Sequence, residues 1–228
     1  MFRDRSDAGQ KLAAVVKSKM RRLPELVLGI PRGGVPVAAE IAAALRVPLD
    51  VLVVRKLGHP DNPEYAIGAI AGGGILILHR EAGVAERDLA GILQREREEL
   101  GRREARFRGT RPAQAVAGRS VLLVDDGLAT GATMQAAIAA LRMQQARQVS
   151  VAVPVAPENV CRSLRLEVAE FVCLLEPEVF AAVGDFYRDF AATSDAEVVR
   201  LLEQSRTSRV TARGTAPEVT ETGAVSGS

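Results

Sequence analysis

Tryptophan is absent, histidine and cysteine occur twice each, and aromatic residues make up only 4% of the chain. With so few rings and a formal net charge of +2, there is little of the basic, aromatic-lined surface that holds single-stranded nucleic acid. Cys161 and Cys173 have neither metal-ligand nor Cys-x-x-Cys spacing, so they read as buried thiols, not as a disulfide or metal site. No apolar run approaches the roughly 18 residues of a membrane span, and no apolar leader opens the chain. Together these absences predict a reducing, cytoplasmic setting with no nucleic-acid or membrane partner. Two nucleotide-binding fingerprints are missing as well. There is no dinucleotide G-x-G-x-x-G, and Ala132 follows Gly131 where a P-loop needs lysine. The 228 residues, 47% hydrophobic and 25% charged, suffice for a single globular core.

What is present centres on Val121 to Met134, VLLVDDGLATGATM. Four apolar residues fit a buried strand and stop at two adjacent carboxylates, Asp125 and Asp126. Gly127, Leu128, Ala129, Thr130, Gly131, Ala132 and Thr133 then lead into a helical segment, Met134 to Leu141. A Gly- and Thr-rich loop at a helix N-terminus lets backbone N–H groups approach an anion closely, with the helix dipole adding favourable charge. A second loop of this kind, Pro31-Arg32-Gly33-Gly34, follows the strand Glu25 to Ile30 and opens the helix Val35 to Leu45. A third apolar strand, Leu49 to Val54, ends at Arg55-Lys56. Ligands of open parallel sheets bind at the C-terminal strand ends, so acids, an arginine and an Arg-Lys pair are expected on one rim.

The run Asp125 to Thr133 resembles the phosphoribosyl pyrophosphate (PRPP) motif of type I phosphoribosyltransferases, in the D-D-x-L-A-T-G-x-T form of the adenine enzymes. A closer likeness, from Phe2 to Glu203, is to a group of predicted bacterial phosphoribosyltransferases. These share P-R-G-G, the R-K-L-G-x-P loop and an F-x-x-V-G-x-F/Y-Y segment. The resemblance implies that Asp125 and Asp126 face the ribose hydroxyls and Mg²⁺, directly or through water, while Gly127 and Ala129 to Thr133 hold the ribose and its 5′-phosphate. By the same likeness Arg32, Gly33, Gly34, Arg55 and Lys56 meet the pyrophosphate. Arg32, Arg55 and Lys56 would assist its departure electrostatically. Gly127 stands where the family usually has an apolar residue, which should loosen the loop. Oxo-purine enzymes carry an acid where this chain has Ala129, so no general base is named. The expected reaction is Mg²⁺-dependent phosphoribosyl transfer from PRPP to a nitrogenous, nucleobase-like acceptor in a homodimer or higher oligomer. The alternatives are a non-catalytic PRPP or nucleotide sensor and a phosphoribosyl hydrolase.

The remaining segments set the expected frame. Asp7 to Arg22 reads as an amphipathic packing helix, and Leu57 to Glu64 as an irregular loop resembling the family's flexible loop, with His59 in it. Tyr65 to Ala71 and Ile75 to His79 read as a hairpin across Gly72-Gly73-Gly74, and Val84 to Phe107 as a long helix. Seven Arg and four Glu between Gln94 and Arg111 suggest a solvated face of i,i+4 pairs. Strands Val149 to Val155 and Ala169 to Leu175 flank a helix Glu158 to Leu166. Phe180, Phe186 and Tyr187 follow as candidates for stacking a base in a small hood within 155–190. Alternating strands and helices predict an α/β fold, a parallel twisted sheet covered by helices on both faces, in one domain over 1–204. Asp195 to Gln204 forms a last amphipathic turn or two, and 205–228 reads as a disordered tail.

Overall fold

A computed structural model describes residues 1–59, 62–78 and 86–214. Five parallel strands form the central sheet: β1 (Leu26–Gly29), β2 (Leu49–Val51), β6 (Ser120–Val124), β7 (Gln148–Val155) and β8 (Phe171–Leu175), in the order β2-β1-β6-β7-β8. Alternate residues feed two cores. Val27, Leu122, Val124 and Ala152 pack with α1 (Arg5–Lys19) and α2 (Gly34–Leu45). Leu26, Leu28, Leu123, Val151 and Val153 pack with α4 (Ala132–Met143) and α5 (Glu158–Glu167). Both faces are therefore dry, as a parallel sheet requires.

The chain leaves this sheet at Leu52, whose N–H donates to the Gly29 carbonyl at 3.1 Å. It then builds a second, antiparallel sheet from β3 (Val54–His59), β4 (Asn62–Ala71) and β5 (Ile75–Leu78). Two expectations change here. The apolar run Leu49 to Val54 is not one strand, because it contains the handover between sheets, so Arg55 and Lys56 open β3 instead of closing β2. Much of the expected loop Leu57 to Glu64 is strand: Leu57, fully buried, pairs with Gly68, and register shifts on either side of Gly58 absorb the irregular composition. The side chain of His59 and all of His79 lie outside the described residues.

α3 (Glu86–Arg108) leads back to β6 and is pinned by a buried ion pair. Arg108 Nε lies 3.0 Å from Asp50 Oδ1 on β2, with the two side chains 7% and 1% exposed. Each of the pair's nitrogens and oxygens has an internal partner. Asp50 also accepts from the Val51 and Gln114 N–H groups, each at 2.8 Å, and Arg108 donates to Glu104 and to the Val51 carbonyl. The final helix, α6 (Asp195–Gly214), runs past Ser205, where the sequence suggested a tail. Nothing between Ser205 and Arg213 breaks a helix, and the first glycine is Gly214. No helix among the described residues is long and apolar enough to cross a membrane. Asp50→Ala is predicted to cost about 3 kcal/mol in urea unfolding, because it takes from a buried guanidinium its buried carboxylate and leaves only Glu104 paired with it. Replacing Asp50 and Arg108 together by leucine should cost less than the two single losses added.

Candidate functional site

β1 runs through α2 to β2 on one side, and β6 runs through α4 to β7 on the other. Between β1 and β6 the strand order reverses, and a crevice opens at their C-terminal ends. The register aligns Gly29 with Val124, so the loops beginning at Ile30 and Asp125 leave the sheet side by side. They touch. A Cβ on Gly33 would lie 2.0 Å from Asp126 Oδ2, and one on Gly34 would lie 2.6 Å from the Val124 carbonyl and 2.8 Å from Asp125 Cα. Gly33 has an ordinary φ of −61°, so it is space and not backbone freedom that demands glycine there. The Pro31–Arg32 peptide in the same loop is cis.

The two acids differ in environment. Asp125 accepts from the Asp126 N–H at 2.9 Å, and its carboxyl is held well above the usual carboxylate range by burial first and by Asp126 second. Asp126 is already partnered: Arg5 Nε lies 2.7 Å from its Oδ2. The same guanidinium donates to the Ala191 carbonyl at 2.7 Å and sits 3.9 Å from the Phe190 ring centroid. Arg5 is thus part of the site, although the sequence assigned the first helix to packing alone. The readable signal was Asp4, which caps α1 by accepting from the Asp7 N–H at 2.8 Å and so sets Arg5 in the first turn.

The loop 127–131 reaches α4 at Gly131, whose φ of 77° is left-handed and whose Cβ position lies 2.9 Å from Val160 Cγ1. No side chain caps α4 at Gly131, and Ala132 N–H only grazes Thr130 Oγ1 at 3.4 Å. Ala129 and Thr130 are exposed, Thr133 partly so. Gly127 proves not to be slack. It is buried, and a Cβ there would meet Val183 at 2.5 Å, so its bareness is what lets the C-terminal segment lie down on the loop.

That segment covers the loop through a short 3₁₀ turn, Val183–Phe186. Tyr187 is 6% exposed, between Phe2 and Phe190 at centroid distances of 5.3 and 4.9 Å, and its hydroxyl donates to the Asp126 carbonyl at 2.6 Å. Burial raises the phenol above its ordinary range. Tyr187 therefore buttresses the acid loop with a ring already covered. Phe180 and Phe186 stack on each other at 5.5 Å and remain partly exposed.

Of the cationic residues picked from sequence, Arg32 sits in the loop beside Gly33. Its side chain, 53% exposed, lines a cavity of about 440 Å³ with Arg102, Arg103, Arg106, Glu99 and Asp195. Here the Arg-rich run of α3 does more than pair along its own helix. Arg106 Nη1 lies 2.6 Å from Asp195 Oδ2 on α6, and Arg32 Nη1 lies 3.7 Å from the other oxygen. Arg102 and Arg103 hold Glu99 down to about 2. Arg55 is instead paired with Glu96 of α3, and Lys56 lines a separate cavity with Ala132 and Gln135 of α4.

With this geometry established, comparison with known proteins is decisive. The model of the phosphoribosyl transferase domain matches residues 4–190. The chain belongs to the phosphoribosyl transferase family. It is 43% identical over 209 residues to a Mycobacterium tuberculosis protein provisionally named a phosphoribosyl transferase, covering 90% of this chain but 47% of that protein. The chain thus spans about half the length of the curated relatives it matches. The crystal structure of TT1426 from Thermus thermophilus superposes with a TM-score of 0.78 at 44% identity, covering 89% of this chain and 98% of that one.

One consequence of this phosphoribosyl transferase fold is measurable without ligand. Because Asp125 binds its proton more tightly folded than unfolded, stability falls as pH rises from the unfolded carboxylate range, about 4, toward the raised folded value. Asp125→Asn is predicted to remove that loss, raising stability to urea at pH 7 with no gain near pH 4. Parallel stability profiles for variant and wild type between these pH values would refute the burial of this carboxyl.

Proposed function

We propose that this domain transfers a phosphoribosyl group from PRPP to a nitrogenous, nucleobase-like acceptor, releasing pyrophosphate. The observation that carries this reading is the contact of the bare Gly33-Gly34 backbone with the Asp125-Asp126 pair at the sheet's switch point, beside the uncapped start of α4. Diol-facing acids and two anion-binding loops, within one sugar's reach of each other, match a phosphorylated pentose carrying a diphosphate.

Asp125 and Asp126 suit Mg²⁺, directly or through water: they are adjacent hard-oxygen donors, and burial of their charge is relieved by a cation. When bound, the ion supplies charge neutralisation to pyrophosphate and ribose oxygens. The protein's own residues do the rest. Main-chain N–H groups of Ala129 to Thr133, with the Thr130 and Thr133 hydroxyls, grip the 5′-phosphate, while the Leu128 N–H anchors the loop on the Val155 carbonyl at 2.9 Å. Arg32 and the Gly33 amide face the pyrophosphate, stabilising charge on the leaving oxygens, while the Gly34 N–H stays on the Ile30 carbonyl at 3.0 Å and its missing side chain leaves the room. Arg102, Arg103 and Arg106 extend that field beyond Arg32, as four guanidiniums against two carboxylates. Lys56, at the cavity shared with Ala132, favours the phosphate-loop side, and Arg55 joins only by leaving Glu96. The partly exposed Phe180–Phe186 pair is the natural platform for a planar acceptor, while Tyr187 holds the loop beneath it.

The decisive experiment is pyrophosphate release from PRPP and Mg²⁺ across a panel of nucleobases and amines. Release dependent on one acceptor class is expected. PRPP binding without release from any acceptor would favour a sensor, and release with no acceptor a hydrolase. Asp125→Asn with Asp126→Asn should weaken PRPP binding by at least about tenfold while the far-ultraviolet circular dichroism is unchanged. Unaltered binding would sink the site assignment.

A further inference from the structure

Between α5 and β8, the fold gathers three side chains that sequence spacing keeps apart. Cys161 lies on α5, Cys173 on β8, and Glu176 just past the end of β8. Their two sulfurs and a carboxylate oxygen all lie within 4.8 Å of one another. Cys161 is buried and Cys173 half-buried, and neither forms a disulfide. The thiols have only main-chain acceptors of modest quality: Cys161 Sγ reaches the Ala156 carbonyl at 3.6 Å, and Cys173 Sγ the Leu175 carbonyl at 3.1 Å. We propose that Cys161, Cys173 and Glu176 bind one thiophilic divalent cation of the zinc class, clipping α5 to the end of β8.

The geometry and the charge both fit. Zinc holds sulfur at about 2.3 Å and oxygen at about 2.0–2.2 Å, which sets tetrahedral ligand atoms roughly 3.5–3.8 Å apart. The three atoms therefore close on an ion by about an ångström, within the reach of side-chain rotation. Two thiolates and a carboxylate around a dication leave one negative charge. Arg165, already paired with Glu176 from the same face of α5, neutralises it. Two sulfur ligands select a soft ion over Mg²⁺, which separates this site chemically from Asp125 and Asp126. The clip also has a structural object. Val160, the residue before Cys161, is the side chain pressed against Gly131, so fixing α5 fixes the wall behind the phosphate loop.

The test uses the reduced full chain after chelation, titrated with Co²⁺ and then displaced with Zn²⁺. One Co²⁺ per chain is expected, with sulfur-to-cobalt charge-transfer absorption and the intense d–d bands of tetrahedral coordination. Cys173→Ser and Glu176→Gln should each weaken Zn²⁺ binding by more than about tenfold, whereas Asp125→Asn with Asp126→Asn should not change it. Zn²⁺ should raise Tm in the wild type and in the aspartate double variant but not in Cys173→Ser, whose fold is verified by circular dichroism. Cobalt binding without sulfur charge transfer, or Zn²⁺ affinity unchanged in both Cys173→Ser and Glu176→Gln, would overturn the site. So would isolation of the two sulfurs joined as a disulfide with no metal retained. None of these readouts depends on transferase activity.

Discussion

Two loops that leave neighbouring parallel strands at the same level must share a space too narrow for any side chain. That constraint governs the molecule. Gly33 meets the Asp126 carboxylate and Gly34 the main chain at Val124 and Asp125, and both contacts fall well inside the distance a Cβ could occupy. Bare backbone at these two positions lets the loops close on each other, so main chain lines the crevice where a side chain would present carbon. The sheet order, the two faces of helices and the C-terminal segment all serve to hold these loops at that separation.

The charges around the crevice follow a consistent division. Carboxylates sit on the β6 side, and guanidiniums gather beyond Arg32 on α3. An acid whose ionisation is opposed by burial, beside a second acid occupied by Arg5, is a costly arrangement for a protein that only needs to fold. Cost of that kind concentrates where a ligand's charge later offsets it. The ion pair of Asp50 and Arg108, by contrast, has an internal partner on each of its nitrogens and oxygens and serves to anchor α3, carrying its arginines to the crevice.

Features written in contiguous residues were legible in the sequence: the apolar Val121 to Val124 stopping at two acids, the Pro-Arg-Gly-Gly turn, the alternation of strand and helix, and the hairpin across three glycines. Features made by distant partners were not. Nothing in Leu49 to Val54 marks where one sheet passes the chain to another, because both environments demand the same apolar residues. The arginines of α3 have the i,i+4 spacing of a solvated helix, and only the approach of Arg32 and Asp195 gives them a second face. Gly127 looked like looseness because Val183, the atom group that fills its place, is far along the chain. The neighbouring thiols were hidden for the same reason: spacing along the chain says little about residues on a helix and the strand after it.

The acid loop is completed from both ends of the described domain. Phe2 N–H donates to the Phe186 carbonyl and Arg188 N–H back to the Phe2 carbonyl, each at 2.8 Å, while Arg5 and Tyr187 both hold Asp126. During synthesis the first helix therefore waits through most of translation for its partners. Until residues 186–190 emerge, Asp126 lacks the Tyr187 clasp and Arg5 lacks the Phe190 ring and Ala191 carbonyl that steady it. The crevice cannot mature on a partial chain, so a nascent or C-terminally truncated copy would carry the motif without the site.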